Sequence, residues 1–183
     1  MKRGSFVEII ECCTCGSESK KLAYRFSVDI DKTAEYYAAE HKILSPCIEV
    51  IRPALAESYP KLCEFLRQFG ITPENPSSCS AVRFTDGRNK IRCSMYYPVF
   101  GKIEHFGKML EIEDTIIEGQ KRRKPPEGYP LREKTFGIWV CNTVFDWQLD
   151  TPLSEIYPEQ EEQTFWSMAE SRRKEKKDIE NKA

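Results

Sequence analysis

Two stretches of this 183-residue chain combine residue types and spacings that could do chemistry. The first is "PLSEIYPEQ", in which Glu155 and Tyr157 stand two residues apart. On a β-strand that spacing turns both side chains to one face, so a carboxylate and a phenol would share a surface. A carboxylate among aromatic rings is costly to bury unless something pairs with it. A cation would meet both the ion pair and the negative ring faces. The second stretch is "ECCTCG", where Cys12-x-x-Cys15 followed by Gly16 forms half of a zinc knuckle. Closure of a zinc site takes two further ligands, and Cys47, Cys63, Cys79, Cys93, His41 and His105 form no recognised spacing with it. The same pair also reads as a redox-active dithiol or as ordinary thiols.

Other chemistries find less footing. The sequence contains no P-loop, no GxGxxG and no GxSxG, so nucleotide cradling and serine hydrolysis have no motif to rest on. A Cys–His nucleophilic pair would have to draw on His41 or His105, the only histidines. "KRRKPP" reads as a solvated loop, a nuclear-localisation signal or a phosphate-contacting patch. Tyr96, Tyr97, Trp139, Trp147, Tyr157 and Trp166 fall on or beside expected strands. Such rings suit a ligand cleft because they offer apolar faces with a polar tip, and they suit a core equally well.

The bulk properties bound the answer. One domain with a real core accounts for this length, and 40% apolar with 31% charged residues is a globular composition. A net charge of −1 argues against non-specific nucleic-acid binding, and no helix-turn-helix is visible. No run approaches the roughly 20 apolar residues of a membrane span, and the short apolar stretch after Met1 is too brief for a secretory signal. The expected location is the cytoplasm, where the eight cysteines would be buried thiols, metal ligands or reactive groups.

The elements that must position these residues are legible in places. "SFVEIIECCTC" is β-prone, and "KLAYRFSVDI" alternates apolar and polar residues as a strand. Asp31 or Thr33 could cap a short helix over "AEYYAAEHK". Ile48, Ile51, Leu55, Leu62, Leu66 and Phe69 recur at helical spacing, but Pro53 and Pro60 forbid one continuous helix. Ser58 as N-cap, Pro60 in the first turn and Gly70 as the stop predict a helix over 59–69. "SAVRFTDGRNKIRCSMYYPV" predicts a hairpin about Asp86-Gly87, and "FGIWVCNTVF" a buried strand. The arrangement predicts a single α+β domain over 1–167, with 1–20 a Cys-containing segment and 168–183 a charged tail.

The order "YPKLCEFLRQFGITPENPSSCSAVRFTDGRNKIRCSMYYPV" resembles one half of the GyrI-like small-molecule-binding domains, which include effector-binding domains of transcription regulators. Gly70-Ile71, Pro73, Pro76 and Pro98-Val99 fill the places of the family's turn, loop and hairpin end. "PPEGYPLREKTFGIWVCN" looks like its lead into a central strand, and "SEIYPEQ" like its Glu-x-Tyr last strand. The resemblance implies an antiparallel sheet with helices on one face, in two pseudo-symmetric strand–helix–hairpin units that meet at a groove. It implies Glu155 in that groove beside Tyr157, with Trp139 and Tyr97 as lining; Trp147 joins them as a further aromatic candidate.

The expected function is therefore non-catalytic binding of a small apolar molecule, with positive charge on it answering Glu155. Two alternatives stand beside it. One is a hydrolase on the same scaffold with Glu155 as general base. The other is a protein-interaction module stapled by zinc at Cys12 and Cys15.

Overall fold

The computed structural model describes residues 5–11, 21–39, 45–84, 86–105, 110–121, 126–130 and 133–157. The chain runs through strands Ser5–Glu11 (β1) and Lys21–Val28 (β2), then helices Ile30–Ala38 (α1), Pro46–Ser58 (α2) and Pro60–Arg67 (α3). Strands Ser78–Arg83 (β3), Lys90–His105 (β4), Leu110–Ile112 (β5), Thr115–Gln120 (β6) and Thr135–Asp146 (β7) follow, and the single turn Leu153–Ile156 (α4) is the last element among the described residues. All strand pairings are antiparallel, and the sheet order is β1-β2-β4-β7-β6-β5 with β3 also on β4. The α+β class expected from the sequence is the class observed. No helix among the described residues is long and apolar enough to cross a membrane.

The 16-residue strand β4 organises the sheet. Along one edge it pairs with β7 from Lys90 to Phe100. Along the other it carries β3 on Ile91–Tyr96 and β2 on Gly101–His105. Pro98 falls in the stretch between those two partners, where a missing N–H removes least from the ladder. Ile91, Cys93, Met95, Tyr97 and Val99 are buried and alternate with half-buried Arg92, Ser94 and Tyr96, as a sheet with one core face requires. The alternation gives way to a buried run from Tyr97 to Phe100, and the strand bends at Phe100. Its N–H is donated to Thr33 Oγ1 at 3.2 Å and its carbonyl accepts from the Asp29 N–H at 2.9 Å. Gly101 follows with φ +142°, and a Cβ there would overlap the Ser27 carbonyl oxygen of β2. Only glycine lets the two strands approach at this bend.

The helices cover the core face. α2 buries Cys47, Ile48, Val50, Ile51 and Leu55, and α3 buries Leu62, Cys63, Phe65 and Leu66. Pro53 lies inside α2 without ending it; the buried apolar stripe outweighs the lost hydrogen bond. The break falls instead at Tyr59, which caps α3 in place of the expected Ser58, with Pro60 in the first turn as its sequence implied. Gly70, at φ +77°, closes the turn after α3. The cap of α1 is also corrected: Asp29, not Asp31 or Thr33, accepts the Lys32 N–H at 3.1 Å. Thr33 donates its hydroxyl to the Asp29 carbonyl at 2.8 Å.

The far side of the sheet curls back to the helices. The β5–β6 turn holds Glu113 and Asp114 at φ 50° and 63°. From that tip, Glu113 Oε2 accepts the Leu62 N–H of the first turn of α3 at 3.0 Å. Asn142, at φ 68°, marks a bulge where Cys93 and Met95 of β4 face Thr143 and Val140 of β7. Tyr59 seals it, accepting the Val144 N–H at 2.7 Å and donating to the Val144 carbonyl at 3.3 Å.

Candidate ligand-binding cleft

The Glu155–Tyr157 segment is not a strand. Pro152 precedes one helical turn, with the Glu155 N–H donated to the Pro152 carbonyl at 3.0 Å and the Tyr157 N–H to the Leu153 carbonyl at 2.9 Å. Leu153, Ile156 and Tyr157 turn inward while Ser154 and Glu155 stay exposed. That is the i, i+3, i+4 spacing of a helix, so the side chains read as a shared strand face are separated. Tyr157 meets Trp147 edge-on at 5.9 Å. Burial, with the neighbouring Cys47 thiol, pushes its phenol well up from the ordinary range.

Trp147 is the hub of this corner. Its backbone N–H is donated to the Asn89 carbonyl at 2.9 Å, and its own carbonyl accepts from Asn89 Nδ2 at 3.1 Å. Its indole N–H is donated to the Thr151 carbonyl at 2.8 Å. These bonds tie the segment after β7 to the β3–β4 turn and leave a cleft between them. The cleft has a volume of about 320 Å³ and opens to solvent. One wall is Arg83, Phe84, Gly87, Arg88 and Asn89; the other is Leu149, Pro152, Leu153 and Ser154, with Trp147 between.

Two arginines and no carboxylate stand among the lining residues. The Arg88 guanidinium lies over Phe84 at 4.1 Å, and Arg92, on the neighbouring strand, lies over the same ring at 4.8 Å. Arg88 pairs with Asp86 at 2.6 Å on the exposed rim. Arg92 Nε is buried without a hydrogen-bond partner among the described residues.

The other residues singled out from sequence lie elsewhere. Tyr97 is fully buried, with its hydroxyl donated to the Pro73 carbonyl at 2.7 Å. Trp139 lies across the sheet from the core, against Tyr96 at 6.0 Å. Glu155 is exposed on α4 and outside the lining. Cys12 and Cys15, the candidate zinc ligands, lie outside the described residues. Of the five expected ligand-binding residues, Trp147 alone lines the cleft, with Tyr157 behind it. Arg83, Phe84 and Arg88 were missed as site residues, although "VRFTDGR" shows their pattern of cation and ring about a turn. No protein-family model, no curated protein and no solved structure matches this chain.

Proposed function

We propose that the protein binds a small, apolar-bodied molecule in the Trp147 cleft, without chemistry of its own, and that the molecule carries a negative charge. The observation that carries this reading is a solvent-open cleft with arginines at 83 and 88, rings at 84 and 147 and no acid in its lining. Arginine forks match carboxylates and sulfonates in two-point geometry, and the rings with Leu149 and Leu153 offer apolar surface to the rest of the ligand. Non-catalytic small-molecule binding is also what the GyrI-like resemblance of the segment around Gly70 and Pro98 implies. The charge of the ligand is the point of departure. A cation was expected from Glu155, and the cleft's own lining favours an anion. Glu155, exposed and outside that lining, is not set to activate water there.

The test is a fluorescence titration with an anilinonaphthalene sulfonate, a flat anionic dye, against a cationic dye of similar size. Saturable binding of the anion is expected, weakened by salt and by roughly tenfold in Arg88→Gln, the loss of one charge-assisted bond. Preference for the cationic dye, or anion binding unaffected by Arg83→Gln and Arg88→Gln together, would contradict the reading.

A further inference from the structure

The first turn of α2 and the edge strand β3 bring two thiols together. Cys47 Sγ lies 2.9 Å from Cys79 Sγ, although 32 residues separate them in sequence. Ser45 Oγ stands 3.0 Å from Cys47 Sγ. Cys47 is fully buried, whereas Cys79 is partly exposed. A third thiol, Cys93, sits on β4 opposite Ala81, one diagonal step from Cys79. Three thiols in one corner suggest a soft metal ion, yet among the described residues no group of three or more His, Cys, Asp or Glu side chains has an arrangement that would hold one. Covalent sulfur chemistry is what the contact leaves open. A disulfide needs its sulfurs about 2.05 Å apart, so closure asks the two side chains to move by less than about 1 Å.

We propose that Cys47 and Cys79 are a cross-linking site, which a small disulfide such as oxidised glutathione converts to a bond between α2 and β3. The partly exposed Cys79 reacts first: its thiolate attacks one sulfur of the oxidant, the oxidant's S–S bond breaks, and one reduced thiol leaves. Cys47, deprotonated, then attacks the Cys79 sulfur, the protein disulfide forms, and the second reduced thiol leaves. Two protein thiols are oxidised, one small disulfide is reduced to two thiols, and the two protons end on those thiols. Both cysteines sit well above the ordinary thiol range. For Cys47 the cause is its hydrogen bond with Cys79, then burial. For Cys79 the bond with Cys47 pulls down, but Cys93 and burial outweigh it. Little thiolate is present at neutral pH, so the cross-link forms slowly and faster as pH rises. It is a stabilising lock rather than a rapid sensor.

The test is to reduce the whole protein, incubate it with oxidised glutathione at a series of rising pH values until the slow exchange is complete, and map the digested product by mass spectrometry without reductant. The expected result is the Cys47 peptide joined to the Cys79 peptide, released by dithiothreitol. The oxidised protein should melt roughly 6–12 °C higher, because a closed loop constrains the unfolded chain. Cys47→Ser and Cys79→Ser should each abolish both effects, and Cys93→Ser should leave them. A Cys79–Cys93 link overturns the proposal. So do Cys47 and Cys79 that both remain open to alkylation, or a cross-link that fails to raise the melting temperature. If a serine variant misfolds, the peptide map of the unaltered chain decides alone.

Discussion

Each end of β4 places a cation over aromatic rings, and the two ends differ in what surrounds that contact. At the Phe100 end, Lys32 lies 5.0 Å from the Phe100 ring and 5.7 Å from Tyr129, and Glu133 answers its charge at 2.7 Å. Tyr36 closes over Phe100 at 6.2 Å, and backbone bonds from Asp29 and to Thr33 lock the bend. At the other end, two arginines lie over Phe84, the ring borders an open cleft, and Asp86 answers Arg88 from the rim. The same cation-over-ring contact closes a structure at one end and borders an open cleft at the other. Close backbone approach and a charge answered within the fold mark the structural end; an ion pair on the rim of an open cleft marks the other.

Substitutions can break or sharpen this contrast. The largest effect is expected at the closed end, where Gly101→Ala must both accept φ +142° and push β2 away from its contact. A loss of about 3 kcal/mol or more is expected by chemical denaturation; a loss under about 1 kcal/mol, the ordinary effect of a point mutation, would mean the bend is not tightly packed. Next is Tyr59→Phe, which removes the hydroxyl that bonds both Val144 groups at the β7 bulge. It should cost about 1–3 kcal/mol in the same assay, the penalty for orphaning a partly buried polar group. Lys32→Met keeps the stem over the rings and removes the charge, which should cost about 1 kcal/mol after allowance for solvent at a part-exposed pair. The smallest stability effect belongs to the open end. Arg88→Gln should leave stability within about 0.5 kcal/mol, as for an exposed surface change, while weakening anion binding. Equal destabilisation by Arg88→Gln and Lys32→Met would erase the distinction between the ends.

The sequence carried the scaffold better than the site. The hairpin about Asp86-Gly87 and the helix ending before Gly70 stand where turn chemistry and apolar spacing put them. β5 and β6 went unread because their turn is Glu113-Asp114, two residues at positive φ with no glycine to announce it. The length of β4 was hidden by Pro98 and Gly101, which normally end a strand but here fall between its partners and at its bend. The period of the last segment is where sequence and structure part: Glu155 and Tyr157 stand at a strand's spacing of two, while Leu153, Ile156 and Tyr157 carry the helical spacing that the chain adopts. Nothing in the order of residues indicates that "VRFTDGR" folds beside Trp147, because that contact depends on how the segment after β7 turns back on Asn89.

The most direct test of the cleft is an NMR titration of the nitrogen-15-labelled protein with the anionic naphthalene dye, following the tryptophan indole and asparagine amide signals. The Trp147 indole and the Asn89 side-chain amide should shift together and saturate, with the Trp139 indole unmoved. Shifts centred on Trp139 and Tyr96, or no saturable shift at Trp147, would contradict the account.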